Sequence, residues 1–337
     1  MRLGHFNPTE KLLYHSDIIA KWNCGERIYP ILIEWFLTNY CNHKCDFCSF
    51  SHSHSKGFMD TKIVLKTLSE LSELGVKAIN WTGGGEPLLH PDFTTIAEHA
   101  YFCGIEQGLF TNGSLLTKDI AKVIGKTHKW VRFSVDAGMD RTFKEIKGVN
   151  DYKKVIDNLC MMVDYKENCT VGGGFVITKD NFQDIEMFVN QMEYCGVDYI
   201  QFKPQIHPYF DDKQEEAEFW NKKIRPKLER VSNNPKVMVN LYKFRDLEET
   251  ADREYNICYG WEFCPCIADG KVYRCNYLAY MEEHCLGNLK DKTFAEIWKE
   301  QNPMKPCKEC QLLCKNDAIN KILYSLKHNR GGHENFL

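Results

Sequence analysis

The sequence predicts an α/β fold built on a parallel sheet, and three observations carry that prediction. Between residues 30 and 205, short apolar runs alternate with segments whose apolar residues recur at helical spacing. Single glycines stand where three of the helical segments should end and the next apolar run begin. Polar or glycine-rich turns follow the apolar runs, which is where α/β folds collect their chemistry.

The elements follow in order. Candidate strands are "ILIEWFL" from Ile31, "VKAINWT" from Val76 and "IEQGLFT" from Ile105, then "KWVRFSV" from Lys129, "TVGGGFVIT" from Thr170 and "VDYIQFKP" from Val197. Between the first two, Ile63, Leu65, Leu68, Leu71 and Leu74 mark one face of a helix. Gly75, Gly104 and Gly196 occupy C-terminal cap positions, where a left-handed residue is expected. Six such units suit an open doubly wound sheet or an incomplete barrel. In either, "CNHKCDFC", "TGGGEP", "TNGS", "SVDAG" and "KPQ" end strands one, two, three, four and six and should share one rim.

Beyond Gln205 the texture changes to charged, helix-prone sequence with one possible strand, "VMVNLY", whose charge runs read as solvated helix faces. From Cys258 the chain is turn-rich and cysteine-dense, too small for a strong core without a metal. The division expected is an N-terminal extension over 1–28, a core over 29–205, a bridging segment over 206–256 and a cysteine-rich domain with its tail over 257–337.

Composition narrows the function classes. With 43% hydrophobic and 26% charged residues, the chain lies well away from disorder. A net charge of −3 gives no general attraction to nucleic acid, and no run approaches the roughly 18 apolar residues that a membrane span needs. No secretory signal is apparent, so a cytoplasmic location is expected. The cysteine count of 16 is anomalous. Without an export signal it favours reduced thiols or metal ligands over disulfides. Three lie at 41–48 and eight between Cys258 and Cys314; scattered ones such as Cys103, Cys160 and Cys195 read as small buried apolar residues.

Cys41, Cys45 and Cys48 pose the central question. Thiolates bind zinc, copper(I) and iron–sulfur clusters, and a four-iron cluster usually takes four cysteines. Three would leave one iron open to a small molecule; the competing reading is zinc with a fourth ligand from His43, His52 or His54. The loop "CNHKCDFC" resembles the C-x3-C-x2-C signature of the radical S-adenosylmethionine (SAM) superfamily, including the aromatic Phe47, and "TGGGEP" looks like that family's glycine–glycine–glutamate motif. The resemblance covers residues 30 to about 205 and implies a partial (β/α)6 TIM-like barrel. It implies that Cys41, Cys45 and Cys48 hold a [4Fe–4S] cluster whose open iron is chelated by SAM. Gly84, Gly85 and Glu86 would then meet the SAM amino group, Phe47 the adenine, and Ser134, Asp136 and Asn112 the ribose or carboxylate. The chemistry implied is one-electron cleavage of SAM to a 5′-deoxyadenosyl radical, with an external donor such as flavodoxin or ferredoxin. The glycine run Gly172–Gly174 is expected to pass close under the nucleoside.

At the other end, "ADGKVYRC" reads as a hairpin turning at Asp269-Gly270. Cys258, Gly270 and Cys275, with "LGNL" and "FAEIW", resemble the SPASM/twitch modules that bind auxiliary iron–sulfur clusters. The later run C-x2-C-x3-C departs from the full SPASM pattern. The resemblance therefore implies one auxiliary cluster on Cys258, Cys275, Cys307 and Cys310, with Cys264, Cys266, Cys285 and Cys314 as alternates for a second; a zinc ribbon is the competing reading. Only about 30 residues precede the first strand, and no cobalamin-binding domain is apparent. The expectation is thus a small-metabolite substrate, such as a sugar or nucleotide-linked compound, undergoing dehydrogenation or epimerisation. The alternative is a maturase modifying a peptide or protein.

Overall fold

The computed structural model describes residues 8–50, 57–205, 212–239, 255–299 and 315–328. The six apolar runs become β1 (Leu32–Phe36), β2 (Ala78–Trp81), β3 (Glu106–Thr111), β4 (Trp130–Ser134), β5 (Thr170–Ile177) and β6 (Tyr199–Pro204). They pair in parallel in sequence order, as βα units do when each helix returns the chain to the same edge. The possible strand of the bridging segment is real: β7 (Val237–Val239) pairs in parallel with β6.

The intervening helices are α1 (Pro8–Leu13) and α2 (Ser16–Asn23) before β1, then α3 (Thr61–Glu73), α4 (Phe93–Phe102), α5 (Lys118–Thr127), α6 (Asp140–Lys147), α7 (Tyr152–Tyr165) and α8 (Ile185–Cys195). Asp60 starts α3 by accepting hydrogen bonds from the backbone N–H groups of Lys62 and Ile63. Gly75, Gly104 and Gly196 follow α3, α4 and α8 with φ of +84°, +75° and +74°, as their positions require. Alternation along the strands puts Ile33, Trp35, Ile79 and Trp81 against the helices, in one core with Val64 and Leu68 of α3. Each such fully buried apolar side chain contributes roughly 1.5–3 kcal/mol. The opposite face carries Glu34, Asn80, Phe110, Arg132 and Gln201, the inner lining of a partial barrel.

Past β6, α9 (Lys213–Phe219) and α10 (Arg225–Val231) flank a π-helical turn, Trp220–Ile224. Most of their charged residues face solvent, although Glu216 is buried, and Trp220, Ile224 and Leu228 join the main core. The cysteine-rich segment does not stand apart. Its strand β8 (Cys266–Ala268) pairs in parallel with β1, β9 (Lys271–Tyr273) returns antiparallel, and β10 (Cys285–Asn288) follows. The described strands thus form one sheet ordered β10-β9-β8-β1-β2-β3-β4-β5-β6-β7. The β8–β9 turn has φ of +51° at Asp269 and +76° at Gly270, the two left-handed residues of the expected hairpin.

A second apolar cluster joins the N-terminal helices to the far end of the described chain: Leu12 and Trp22 meet Tyr259, Phe263, Ile319 and Leu323. One cysteine expectation is corrected. Cys160 of α7 and Cys195 of α8 form a disulfide rather than separate apolar fillers, because adjacent helices bring their sulfurs together. Cys103 remains a free, half-buried thiol. No described helix is long and apolar enough to cross a membrane.

Candidate functional site

The three-cysteine loop leaves the C-terminal end of β1 and is held on two sides. On one side it docks on α6, where Lys44 N–H donates to Lys147 O at 2.9 Å and Asp46 N–H to Ile146 O at 3.2 Å. The last carbonyls of a helix have no partner within it, so the loop amides fill real vacancies. Gly148, at φ +66°, permits this approach: a Cβ there would lie 3.1 Å from Lys44 Cβ. On the other side Asn42 bridges to the end of β3, accepting from Asn112 Nδ2 at 2.8 Å and donating to Ser114 Oγ at 2.7 Å. Cys41, Cys45 and Cys48 are all free thiols on this braced loop. Neither Asn42 nor Ser114 was singled out by sequence; only their polarity inside "CNHKC" and "TNGS" hinted at them.

The glycine–glycine–glutamate turn packs on the same loop from beneath. Glu86 N–H donates to Tyr40 O at 2.8 Å, and a Cβ on Gly85 would sit 2.0 Å from that carbonyl. At Gly84, with φ +37°, a Cβ would lie 2.4 Å from the Tyr280 hydroxyl. These glycines therefore let two protein segments approach each other. The Glu86 carboxylate is 3% exposed. Its Oε1 accepts from Thr111 Oγ1 at 2.6 Å and Leu88 N–H at 3.2 Å, and its Oε2 from Asn112 N–H at 2.7 Å. Burial raises its pKa, and these three donors oppose the shift. Oε2 thus accepts one hydrogen bond where Oε1 accepts two.

Beyond β4, Ser134 is half-buried at the strand end, and its side chain has no hydrogen-bond partner among the described residues. Asp136 differs. It is buried in the left-handed region at φ +62°, its Oδ2 pairs with the Lys147 ammonium and its Oδ1 accepts from Val176 N–H at 2.6 Å. Both oxygens are engaged within the protein. Lys147 is the residue that sequence reasoning missed: a lysine ending an amphipathic helix usually reaches water. Here the ammonium is buried beside Asp136 and Cys45 and lies 5.2 Å from the centre of the Phe47 ring. Burial raises the Cys45 thiol pKa and the Lys147 charge opposes that rise.

His43 is buried, neither ring nitrogen has a hydrogen-bond partner among the described residues, and its Nε2 lies 3.8 Å from Asp151 Oδ2. Burial lowers its pKa to about 4. His52 and His54 lie outside the described residues. In the glycine run of β5, a Cβ on Gly172 would collide with the Tyr199 ring at 2.2 Å and one on Gly173 with Met192 Sδ at 2.2 Å, so both make room for protein side chains.

In the cysteine-rich segment, Cys258, Cys264 and Cys266 are buried, and Cys275 and Cys285 are half-buried. Cys258 Sγ accepts from Asn320 Nδ2 at 3.4 Å. Cys307, Cys310 and Cys314 lie outside the described residues. Among the described residues no three ligating side chains already close on one metal position. The donor sets are nonetheless sulfur throughout, the chemistry that suits iron–sulfur clusters. The segment also reaches the first site: Asn39, two residues before Cys41, donates to Asp269 Oδ1 at 2.7 Å and accepts from the Tyr280 hydroxyl.

A parallel α/β sheet with a three-thiol loop on its rim and a second cysteine-rich segment on its edge defines an iron–sulfur enzyme of the radical type. The chain belongs to the radical SAM superfamily: residues 35–192 match the model of that superfamily, and residues 258–317 match the SPASM iron–sulfur cluster-binding domain. It is 24% identical over 284 residues to the tungsten-containing aldehyde ferredoxin oxidoreductase cofactor-modifying protein of Pyrococcus furiosus, covering 79% of this chain and 80% of that protein. It is 25% identical to the mycofactocin maturase MftC of Mycobacterium tuberculosis, covering 84% and 73% respectively. The fold is shared with Streptococcus suis SuiB, solved with its precursor peptide SuiA, at a TM-score of 0.66 and 17% identity over 88% of this chain and 70% of that one. The protein is thus a radical SAM enzyme with a SAM-binding [4Fe–4S] site and an auxiliary iron–sulfur cluster domain.

Proposed function

We propose that this enzyme is a maturase of the SPASM group that modifies a side chain of a peptide or protein. The observation that carries this reading is the similarity to the mycofactocin maturase MftC over 84% of this chain. The small-metabolite oxidation or epimerisation favoured by the sequence alone rested on the short stretch before β1 and has less support among the relatives. An exposed aromatic step fits the peptide reading. Tyr40 and Phe58, 37% and 48% exposed with ring centres 4.9 Å apart, stand beside the cysteine loop as a ledge for an apolar side chain.

In this reading Cys41, Cys45 and Cys48 hold the SAM-binding cluster, and Cys258, Cys275, Cys307 and Cys310 an auxiliary one. When bound, the reduced cluster and SAM supply a 5′-deoxyadenosyl radical that removes hydrogen from the substrate. The chain's own residues position the reactants. Gly84 and Gly85 bring their turn against the cysteine loop, and Glu86 offers Oε2 to the SAM amino group. Ser134 presents a free hydroxyl to the ribose or carboxylate, and Asn112 holds the loop through Asn42. Phe47 screens the adenine side, and Lys147 neutralises Asp136 while placing a cation beside Cys45. The Asp136 carboxylate holds Lys147 and β5 in place.

Anaerobic reconstitution with iron, sulfide, SAM and a reductant tests the reading. Short peptides encoded beside the gene should raise 5′-deoxyadenosine formation and change in mass. Release driven by sugar or nucleotide metabolites, with every such peptide left unmodified, would return the assignment to the small-molecule class.

A further inference from the structure

Inside the barrel, below the rim, Arg132 lacks the partner that its burial demands. It is 9% exposed. Of the five N–H donors on a guanidinium, a single nitrogen, Nη1, is engaged, by Gln201 Oε1. The cationic carbon lies 4.3 Å from the centre of the Phe110 ring, which offsets part of the lost hydration. No described carboxylate forms an ion pair with it: Asp136, two residues past Ser134, is spoken for by Lys147, and Glu34 favours its charged form without reaching ion-pair distance. Removing a charge from water costs several kcal/mol unless it is paired. Burial accordingly pulls the pKa of this side chain down.

Arg132 and Ser134 share one face of β4, as do Gly172 and Gly174 of β5 and Tyr199 and Gln201 of β6. A Cβ on Gly174 would lie 3.2 Å from Arg132 Cδ, so glycine there leaves the side chain its course. Two residues along a strand span about 6.6 Å, which puts Arg132 one step inward from Ser134. We propose that Arg132 anchors a carboxylate-binding subsite inside the barrel, holding a carboxylate of the substrate against its planar fork beside Phe110. Planar, bidentate pairing suits a carboxylate and would complete the buried charge. The subsite rests on the function proposed above only in taking the barrel interior as the substrate's place. It serves a peptide carboxylate or that of a metabolite equally.

The test uses the anaerobically reconstituted full chain with 3-phenylpropanoate as probe and 3-phenylpropanamide as its neutral match. Saturable stabilisation by the acid and none by the amide is expected in thermal unfolding. Arg132→Met should abolish the stabilisation, and Arg132→Lys should weaken it. Without probe, Arg132→Met should melt no lower than the parent, since it removes an unpaired buried charge. Equal effects of acid and amide, no effect of either, or a probe response surviving in Arg132→Met would each overturn the subsite. So would a marked fall in the melting temperature of Arg132→Met, which would make the guanidinium a structural brace. SAM binding by equilibrium dialysis should be the same in Arg132→Met and the parent; a tenfold loss would assign the guanidinium to the carboxylate of SAM instead. Failure of every peptide as substrate would leave these outcomes untouched, because the probe contains no peptide bond.

Discussion

At the scale of single residues, the Asp136–Lys147 pair decides how the site is held. Asp136 bonds Lys147 and the backbone of β5, while Lys147 lies between Asp136, Cys45 and Phe47. Removing one partner strands the other charge in the interior, a loss of about 3–5 kcal/mol. Lys147→Met should therefore lower the stability of the metal-free protein by that order in denaturant unfolding. Adding Asp136→Asn should restore part of it, and a double variant weaker than both single variants together would contradict the pairing. The sequence could not announce this pair: its members are eleven positions apart, one in a rim motif and one in the last turn of a helix. His128 carries a second residue-scale prediction. It is 2% exposed, stacked on Phe93, and burial lowers its pKa to about 3. The unfolded chain takes up a proton near pH 6.5, which the folded site refuses until about pH 3. Stability should therefore fall as pH drops through this window, at up to about 1.4 kcal/mol per unit. In His128→Gln, acid unfolding followed by circular dichroism should lose that part of its slope.

At the scale of elements, the strands and their caps were legible because period and chemistry agree. Alternation marked the six parallel strands, and Gly75, Gly104 and Gly196 marked helix ends with the backbone angles expected. The glycines of β5 are ambiguous in sequence for a physical reason. A glycine signals a close approach without saying to what, and here the neighbours are Tyr199 and Met192. The disulfide between α7 and α8 was hidden because their packing, and not the spacing of Cys160 and Cys195, brings the sulfurs together. The docking of the cysteine loop on α6 was equally invisible, since backbone bonds have no sequence signature. It yields a test at Gly148. Alanine there would hold a left-handed conformation at a cost of about 1–2 kcal/mol and press a Cβ to 3.1 Å from Lys44 Cβ. Gly148→Ala should take up less iron per chain during reconstitution, read by iron assay and absorbance, while the secondary structure by circular dichroism is kept. Iron uptake equal to the parent would mean that α6 does not set the loop.

At the scale of the whole molecule, the core expected over 29–205 and the cysteine-rich domain expected over 257–337 are joined by more than the segment between them. Residues of the second segment reach the sheet, the helices and the rim of the first. Strand β8 extends the sheet at the edge of β1, matching Glu34 with Cys266 and Phe36 with Ala268. The helix Phe294–Lys299 has its first amides capped by Glu70 of α3, at 3.1 Å from Phe294 and 2.8 Å from Ala295. Trp22 of α2 packs edge-on against Tyr259 and Phe263, with ring centres 5.0 and 5.9 Å apart. None of these contacts is readable from local sequence, because each joins segments more than 200 residues apart. A chain ending at residue 256 would leave β1 as an open edge and expose Trp22, conditions that favour aggregation. We expect that truncation to be recovered mainly in the insoluble fraction, or to melt far below the full chain. The full chain should unfold in one transition when followed by tryptophan fluorescence and by far-ultraviolet circular dichroism. A soluble, cooperatively folded 1–256 fragment with the parent's melting temperature would show that the edge contacts are dispensable. The same experiment bears on the chemistry, since Asn39 takes its hydrogen bonds from Tyr280 and to Asp269 two residues before the first cluster cysteine. Even a folded fragment should therefore bind iron at its Cys41 loop less firmly than the intact chain.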